Sequence, residues 1–112
     1  MFMAPGRMAL ETLNQESLVI DTPTHKKIAR FKGRQVVLDT QGPLVYIGTL
    51  QEIGRGFLLL AEADVHDRND SPATKELYLL ETRELGVRVN RERVIVMWEQ
   101  VASLSLLEDV RV

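Results

Sequence analysis

The chain has 112 residues, of which 45% are hydrophobic and 27% are charged, and it contains no cysteine. These values are typical of one soluble domain with a core of its own, and the absence of cysteine excludes a disulfide-stabilised fold. No segment approaches the roughly 20 apolar residues that a membrane-spanning helix needs. The formal net charge of −2 provides no overall attraction for phosphate, so a nucleic-acid function requires a local basic patch.

The start of the chain mixes Met, Gly, Pro and polar residues without a sustained period. We therefore expect a flexible tail over residues 1–21, followed by one domain over residues 22–112. The tail has no basic region followed by a long apolar run, so we expect no signal peptide. Together with the absence of cysteine, this predicts a cytoplasmic protein.

A short helix is predicted where the domain begins. Thr22 is a favourable N-cap, and Pro23 is favourable at the first helical position. Ile28 and Phe31 lie three residues apart, which places them on one face of a helix over residues 24–31.

Three predicted strands follow as a meander. They run over Arg34–Thr40, Leu44–Ile53 and Phe57–Val65. The first turn contains Gly42-Pro43, and the second is Gly54-Arg55-Gly56; both supply the backbone conformations that a chain reversal requires.

Gly48 stands inside the second of these strands. It shares one face with Tyr46 and Leu50. A glycine inside a strand indicates a sharp bend or the close approach of another backbone. Strongly bent strands are what a small barrel requires.

A helical insertion is predicted after the meander and a polar loop over residues 65–70. Ser71-Pro72 repeats the pattern of a cap followed by proline, and Gly86 is suited to end a helix in the left-handed conformation. The spacing of the leucines favours a helix over Pro72–Leu85. A strand over Glu76–Leu80 is the alternative, because its apolar run suits either structure.

Two further strands are predicted at the C-terminal end, over Arg93–Met97 and Val101–Leu107. They form a strand pair around the very tight turn Trp98-Glu99-Gln100. The predicted fold class is therefore mainly β with helices: a small open barrel of five bent antiparallel strands, a short N-terminal helix, and a helical insertion between strands 3 and 4.

This arrangement resembles the Sm and Sm-like (LSm) family, as a divergent member of the bacterial type. The family's first motif is similar to residues 36–63, and its second motif is similar to residues 94–106. The matching positions are Tyr46, Gly48, Leu50, Val101, Leu104 and Ser105.

The resemblance implies a homo-oligomeric ring of six or seven copies that binds single-stranded RNA near its central hole. Family members assemble through their last two strands. An open barrel exposes unpaired backbone groups at its edges, and pairing one edge with the other edge of a neighbouring copy satisfies them.

The RNA site that the resemblance implies is altered in this chain. Where the family commonly has Asp and Asn in the second turn of the meander, this chain has Gly54 and Leu58. Where the family has Arg-Gly or Lys-His in the last turn, this chain has Trp98 and Glu99. The remaining candidates are Arg55, which can reach a phosphate, and Trp98, whose ring can stack on a base.

Other interpretations stay open. Arg55 can be a solvated turn residue and Trp98 a packing or subunit-contact residue, in which case the protein is an oligomeric structural or protein-interaction module without nucleic-acid binding. A hard-metal site is a third hypothesis, from the ligand-type side chains of Asp64, His66, Asp67 and Asp70, although charges ahead of a helix explain them more simply. Hydrolase and phosphate-loop signatures are missing, so we expect no enzyme, no cofactor and no metal.

A mixed-charge segment runs from the end of the insertion to the start of the last two strands. It could form a basic rim if its arginines share one face, but exposed ion pairs explain it as well. Its charged residues are Arg83, Glu84, Arg88, Arg91, Glu92 and Arg93.

Overall fold

The computed structural model describes residues 23–70 and 74–111. The chain divides into two units, Met1–Arg30 and Phe31–Val112. In the first unit, helix α1 covers Pro23–Ala29, which confirms the predicted short helix. The tail predicted over residues 1–21 and the cap predicted at Thr22 lie outside the described residues.

The second unit contains five antiparallel strands in one sheet. They are β1 (Gln35–Thr40), β2 (Leu44–Gly54), β3 (Phe57–Asp67), β4 (Arg91–Met97) and β5 (Val101–Leu106). The strand order is β4-β3-β2-β1-β5, which confirms the predicted five antiparallel strands. None of the helices among residues 23–70 and 74–111 has the length and apolar content needed to cross a bilayer.

The two C-terminal strands do not pair with each other, so the predicted strand pair is wrong in this respect. β4 pairs with β3 and β5 pairs with β1, and the 3-10 turn Trp98–Gln100 joins them. The physical reason is that each end of the turn is held by a different neighbour. The Trp98 N–H donates to the Gly56 carbonyl at 2.9 Å, and the Gln41 N–H donates to the Gln100 carbonyl at 3.0 Å.

This short connection requires a curved sheet. Five strands spaced about 4.8 Å apart in a flat sheet would separate the edge strands by roughly 19 Å. A 3-10 turn rises about 2 Å per residue, so its three residues reach roughly 6–8 Å. The edge strands therefore approach each other at this end, as in a bent, open barrel.

Gly48 lies where the pairing of β2 with β3 is irregular. The register shifts there, and β3 has an extra residue opposite the glycine. Glu62, within this bulge, has a φ of 49°, in the left-handed region. A Cβ atom on Gly48 would lie 3.0 Å from the Ala61 carbonyl oxygen and 3.0 Å from the Ala63 Cβ. The predicted close approach of another backbone at Gly48 is confirmed.

Both faces of the sheet are buried near its centre. One face carries apolar side chains without exposed surface, namely Val36, Leu38, Leu50, Leu58 and Leu60. The opposite face carries a second cluster, in which Val37, Val45 and Ile47 pack with Leu79 and Leu107. Because an exposed sheet face is polar, apolar side chains on both sides of β1 and β2 require the second face to be covered.

Helix α2, the insertion between β3 and β4, covers this second face. It spans Lys75–Leu85, so the predicted helix is confirmed and the alternative strand over Glu76–Leu80 is wrong. The helix begins later than predicted because Thr74 is its N-cap: Thr74 is extended, and its Oγ1 accepts from the Leu77 N–H at 3.1 Å. Gly86 ends the helix with a φ of 99°, as predicted. Ser71 and Pro72 lie outside the described residues.

Polar contacts fix α2 to three parts of the sheet. Lys75 Nζ donates to Asp39 on β1 at 3.0 Å, and the Tyr78 hydroxyl donates to Asp64 on β3 at 2.6 Å. At the other end of the helix, the Arg83 guanidinium donates to a backbone carbonyl beyond β5. The helix is thus a fixed part of the barrel domain.

The Gly48→Ala substitution tests the close approach at the bulge. The added methyl group would meet backbone and Cβ atoms at 3.0 Å, so we expect the free energy of unfolding to fall by about 1–3 kcal/mol. The matched control is Gly42→Ala, whose Cβ would meet nothing within 4 Å, and a change within about 0.5 kcal/mol is expected there. Urea denaturation measures both, and equal stabilities of the two variants would contradict the packing described.

The Tyr78→Phe substitution tests the attachment of α2 to β3. It leaves the buried Asp64 carboxylate without one donor, so we expect a loss of about 1–3 kcal/mol in the free energy of unfolding. The control is Tyr46→Phe, since the Tyr46 hydroxyl makes no hydrogen bond within residues 31–70 and 74–111. If denaturation shows Tyr78→Phe to be as stable as this control, the hydrogen bond does not hold the helix.

Candidate nucleic-acid interface

The two residues predicted to bind RNA come from different turns of the fold. Arg55 lies between β2 and β3, and Trp98 lies between β4 and β5. The pairing of β3 with β4 places Phe57 opposite Met97 and so brings the two turns to the same end of the sheet. The hydrogen bond from the Trp98 N–H to the Gly56 carbonyl joins the turns directly. The structure therefore places Arg55 and Trp98 in one surface region.

The glycines around Arg55 have defined structural roles. Gly56 has a φ of 82°, which a residue with a side chain rarely adopts. A Cβ atom on Gly54 would overlap the Phe57 ring, so this ring lies directly against the Gly54 backbone. The turn is tight because both of its glycines are required, and it holds the Arg55 backbone in a fixed position.

The two residues that replace the Asp and Asn of the family pattern are structural in this chain. Gly54 makes room for the Phe57 ring, and Leu58 is fully buried in the core. A buried leucine cannot contact a base. At these two positions the chain therefore has residues that pack within the domain, without a polar side chain at the surface.

The surface around the two turns combines aromatic, apolar and charged groups. The Trp98 side chain is 38% exposed, Met97 is 51% exposed, and Arg55 lies on the surface. Stacking of one base on an aromatic side chain contributes about 1–3 kcal/mol. Glu99 is exposed in the same 3-10 turn, and its carboxylate opposes phosphate binding. The geometry is therefore better suited to stacking a base than to binding a phosphate backbone.

The metal hypothesis for residues 64–70 is not supported by the side-chain contacts. Asp64 accepts hydrogen bonds from the Tyr78 hydroxyl at 2.6 Å and from Asn90 Nδ2 at 2.9 Å. Asp67 accepts from the Asn69 N–H at 2.9 Å. Within the described parts of the chain, no group of three or more His, Cys, Asp or Glu side chains is arranged to hold a metal ion.

The predicted polar loop over residues 65–70 is in part a strand. β3 continues to Asp67, and a 3-10 turn over Arg68–Asp70 follows. Asp64, His66, Asp67 and Asp70 all line one cleft at this end of the strand. Their carboxylates bind groups of the protein itself where hydrogen bonds are present, since Tyr78 and Asn90 donate to Asp64 and the Asn69 N–H donates to Asp67.

A cleft of about 760 Å³ lies beside this cluster, between the end of β3, helix α2 and residues 86–90. His66 stacks on Tyr78 there, with ring centroids 3.8 Å apart. Burial, together with the hydrogen bond to Asp64, raises the pKa of the Tyr78 hydroxyl above its usual value. Tyr78 therefore remains a protonated donor to Asp64 rather than acting as a base, and the cluster stabilises the domain.

Tyr78 and Asn90 were not identified from the sequence as partners of Asp64. Asn90 also donates to the Val65 carbonyl and accepts from the Val65 N–H, so it connects the start of β4 to β3. An amide before a strand and a tyrosine within an apolar helical run carry no sequence signal for such contacts. The partners become visible only when the insertion is placed on the sheet.

Comparison with known proteins shows the fold of the chain. It is similar to the Sm protein of Pyrococcus abyssii in complex with a uridine heptamer, with a TM-score of 0.53 and 14% sequence identity over 77% of this chain and 99% of that chain. It is also similar to a chain of the NatC complex bound to CoA, with a TM-score of 0.48 and 14% identity over 70% of this chain and 82% of that chain. No protein-family model and no curated protein matches the sequence. The likeness to the Sm protein and the strand order together show that the chain has the Sm-like fold.

Proposed function

We propose that this protein is a non-catalytic, cytoplasmic Sm-like protein of the bacterial type that assembles into a homo-oligomeric ring of six or seven copies and binds single-stranded RNA through Arg55 and Trp98. The observation that carries the proposal is the open sheet. Within the described residues, β4 pairs only with β3, and β5 pairs only with β1. Each copy thus offers two edge strands for pairing.

The two edges suit a contact between copies of the chain. Unpaired N–H and C=O groups on an edge strand pair readily with another strand. If β4 of one copy adds to β5 of the next, the two surfaces in contact are different, and repetition of such a contact closes into a ring when the rotation permits. Curvature of the sheet supplies a rotation at each step.

The side chains of β4 give further support. Ile95 is 56% exposed and Met97 is 51% exposed. They are two residues apart and therefore lie on one face of the strand. Exposed apolar side chains next to an unpaired edge mark an interaction surface, since burying them is favourable at about 25 cal/mol per Å².

The RNA part of the proposal is supported by the neighbouring structure and by the turns. The Sm protein with the similar fold was solved with a uridine heptamer. In a ring, the turns that carry Arg55 and Trp98 would recur in every copy and present several indoles and guanidinium groups to one strand. Repeated weak contacts along one strand give a useful overall affinity.

An oligomeric scaffold without nucleic-acid binding is the second candidate function. It is favoured by the exposed carboxylate of Glu99 and by the structural roles of Gly54 and Leu58. Both candidates require the ring. They differ in whether the assembled protein binds an RNA oligomer in a salt-dependent manner.

The Ile95→Lys substitution tests the edge contact. A lysine on the exposed face of β4 opposes strand addition, so we expect the apparent dissociation constant of the assembly to rise about tenfold or more. Light scattering coupled to size exclusion measures this effect. Leu85→Lys is the control, because Leu85 is 83% exposed on the same side of α2 as Tyr78, which contacts the interior strand β3, and should leave the mass unchanged. A parent-like mass for Ile95→Lys would exclude β4 from the contact.

Titration with a labelled uridine heptamer tests the RNA site. We expect Trp98→Ala to weaken binding by about 1–3 kcal/mol and Arg55→Ala to reduce the slope of log affinity against log salt by about one. Because Trp98 is the single tryptophan, quenching of its fluorescence reports contact directly. Arg68→Ala is the control, since Arg68 lies at the opposite end of β3. Parent-like binding by both site variants would refute the site, and a parent protein that binds no RNA would favour the scaffold.

A further inference from the structure

The insertion helix α2 has two sides that face different parts of the sheet. On one side, Tyr78 donates to Asp64 on β3. On the other side, Arg83 donates to the Val110 carbonyl, which follows β5. With about 100° between successive residues, Glu76 and Leu80 share the Arg83 side of the helix, and Glu84 lies next to Arg83 toward the outer side, opposite the buried Leu79 and Thr82. The Arg83 side therefore lies toward β5, the edge strand.

The region beside β5 carries four carboxylates together with the guanidinium groups of Arg34, Arg83 and Arg111. Glu76 is exposed on the Arg83 side of α2, Glu84 is exposed on the outer side of the helix next to Arg83, and Glu108 and Asp109 are exposed directly after β5. Glu84 pairs with Arg83 and Glu108 pairs with Arg34, both at 2.6 Å on the surface. Glu76 and Asp109 form no ion pair within residues 31–70 and 74–111. We call the four carboxylates Glu76, Glu84, Glu108 and Asp109 the acidic margin.

The opposite edge of the sheet carries unpaired cations. Arg91 and Arg93 on β4 are exposed and form no ion pair within the described residues. They share one face of the strand with the exposed Ile95 and Met97. We call these four side chains, Arg91, Arg93, Ile95 and Met97, the β4 row. Its first half is basic and its second half is apolar.

The β4 row lies on the face of the sheet that α2 covers. Arg93 is opposite Ala61 on β3, and Ala61 is opposite Thr49 on β2. Thr49 is two residues from Ile47, which packs against α2 in the second core cluster. Residues two apart share a face, so the β4 row and α2 are on the same side of the sheet.

We propose that in the assembly the β4 row of one copy contacts α2 and the acidic margin of the next copy, so that the insertion helix is part of the subunit contact. This inference rests on the proposed ring and names the surface that its partner, a second copy of this chain, recognises. Antiparallel addition of β4 to β5 places the start of one strand beside the end of the other. Arg91 and Arg93 then lie beside Glu108 and Asp109, while Ile95 and Met97 lie nearer to the start of β5.

The charge pattern gives this contact a direction. The basic start of β4 is complementary to the acidic margin. A two-fold contact between antiparallel β4 strands would instead place Arg91 and Arg93 beside Ile95 and Met97, and the arginines would then have no carboxylate partner across the contact. The charges favour the head-to-tail contact that a ring requires.

A charge exchange tests the inference. One variant carries Arg91→Glu and Arg93→Glu, a second carries Glu84→Lys and Asp109→Lys, and a third carries all four changes. We expect each double variant to raise the apparent dissociation constant of the assembly about tenfold or more at low salt. The fourfold variant should assemble again because opposite charges meet at every contact. An equimolar mixture of the two double variants should also assemble, as rings in which the variants alternate and the number of copies is even.

Two controls separate this effect from misfolding and from general charge effects. Circular dichroism and thermal melting establish that each variant is folded. Glu81→Lys reverses an exposed charge on the Tyr78 side of α2, away from β5, and should leave the assembly unchanged.

The outcomes distinguish this inference from the proposed ring. If the parent is oligomeric and the double variants keep its mass, or if the fourfold variant fails to reassemble, the helix contact is refuted while the ring stands. If the parent protein is monomeric at every concentration tested, the ring is refuted and this contact with it.

Discussion

The close approach of β3 to Gly48 is the constraint on which the rest of the fold depends. Because Gly48 has no side chain, the bulge around Glu62 can pack directly against it. A Cβ atom on Gly48 would lie only 3.0 Å from the Ala61 carbonyl oxygen and the Ala63 Cβ. A bulge increases the local twist and bends the strand that contains it. The resulting curvature allows a turn of three residues to connect β4 and β5, although they are the two edge strands of a sheet with five strands.

The insertion helix completes this domain rather than extending from it. Val37, Val45 and Ile47 would leave an apolar sheet face exposed to water if Leu79 and Leu107 did not cover it. The contacts of Lys75 and Tyr78 fix the helix over β1 and β3. Within the described residues, neither edge of the sheet pairs with a further strand. The side chains next to the edges are basic and apolar on β4 and include four carboxylates beside β5. Assembly through these edges is the proposal that this arrangement favours.

Sequence reasoning predicted the features that depend on local chemistry. Strand positions followed from apolar runs between glycine turns, the bend followed from Gly48 inside a strand, and the end of α2 followed from Gly86. It failed where long-range contacts decide the structure. The separation of β4 from β5 depends on hydrogen bonds from their turn to two other turns, and the start of α2 depends on which of several capping residues is used.

At the candidate site, too, the sequence predicted what depends on local chemistry and missed what depends on long-range packing. The pairing of β3 with β4 brings Arg55 and Trp98 together, and the sequence identified both from the two turns of a resembling family. The sequence did not show that Leu58 is a core residue or that Gly54 accommodates the Phe57 ring, because both depend on packing within the folded sheet. Asp64 and Asp67 of the predicted metal loop lie on a longer strand than expected, and both accept hydrogen bonds from the protein, which the sequence could not show.

The central claim is that the two open edges of one curved sheet complement each other between copies of the chain. Native mass spectrometry of the full chain at micromolar concentration tests this most directly, since it counts the subunits in each species. A single closed species of six or seven copies is predicted. A population of monomers, or a ladder of sizes without a preferred number, would contradict closure of the sheet edges into a ring.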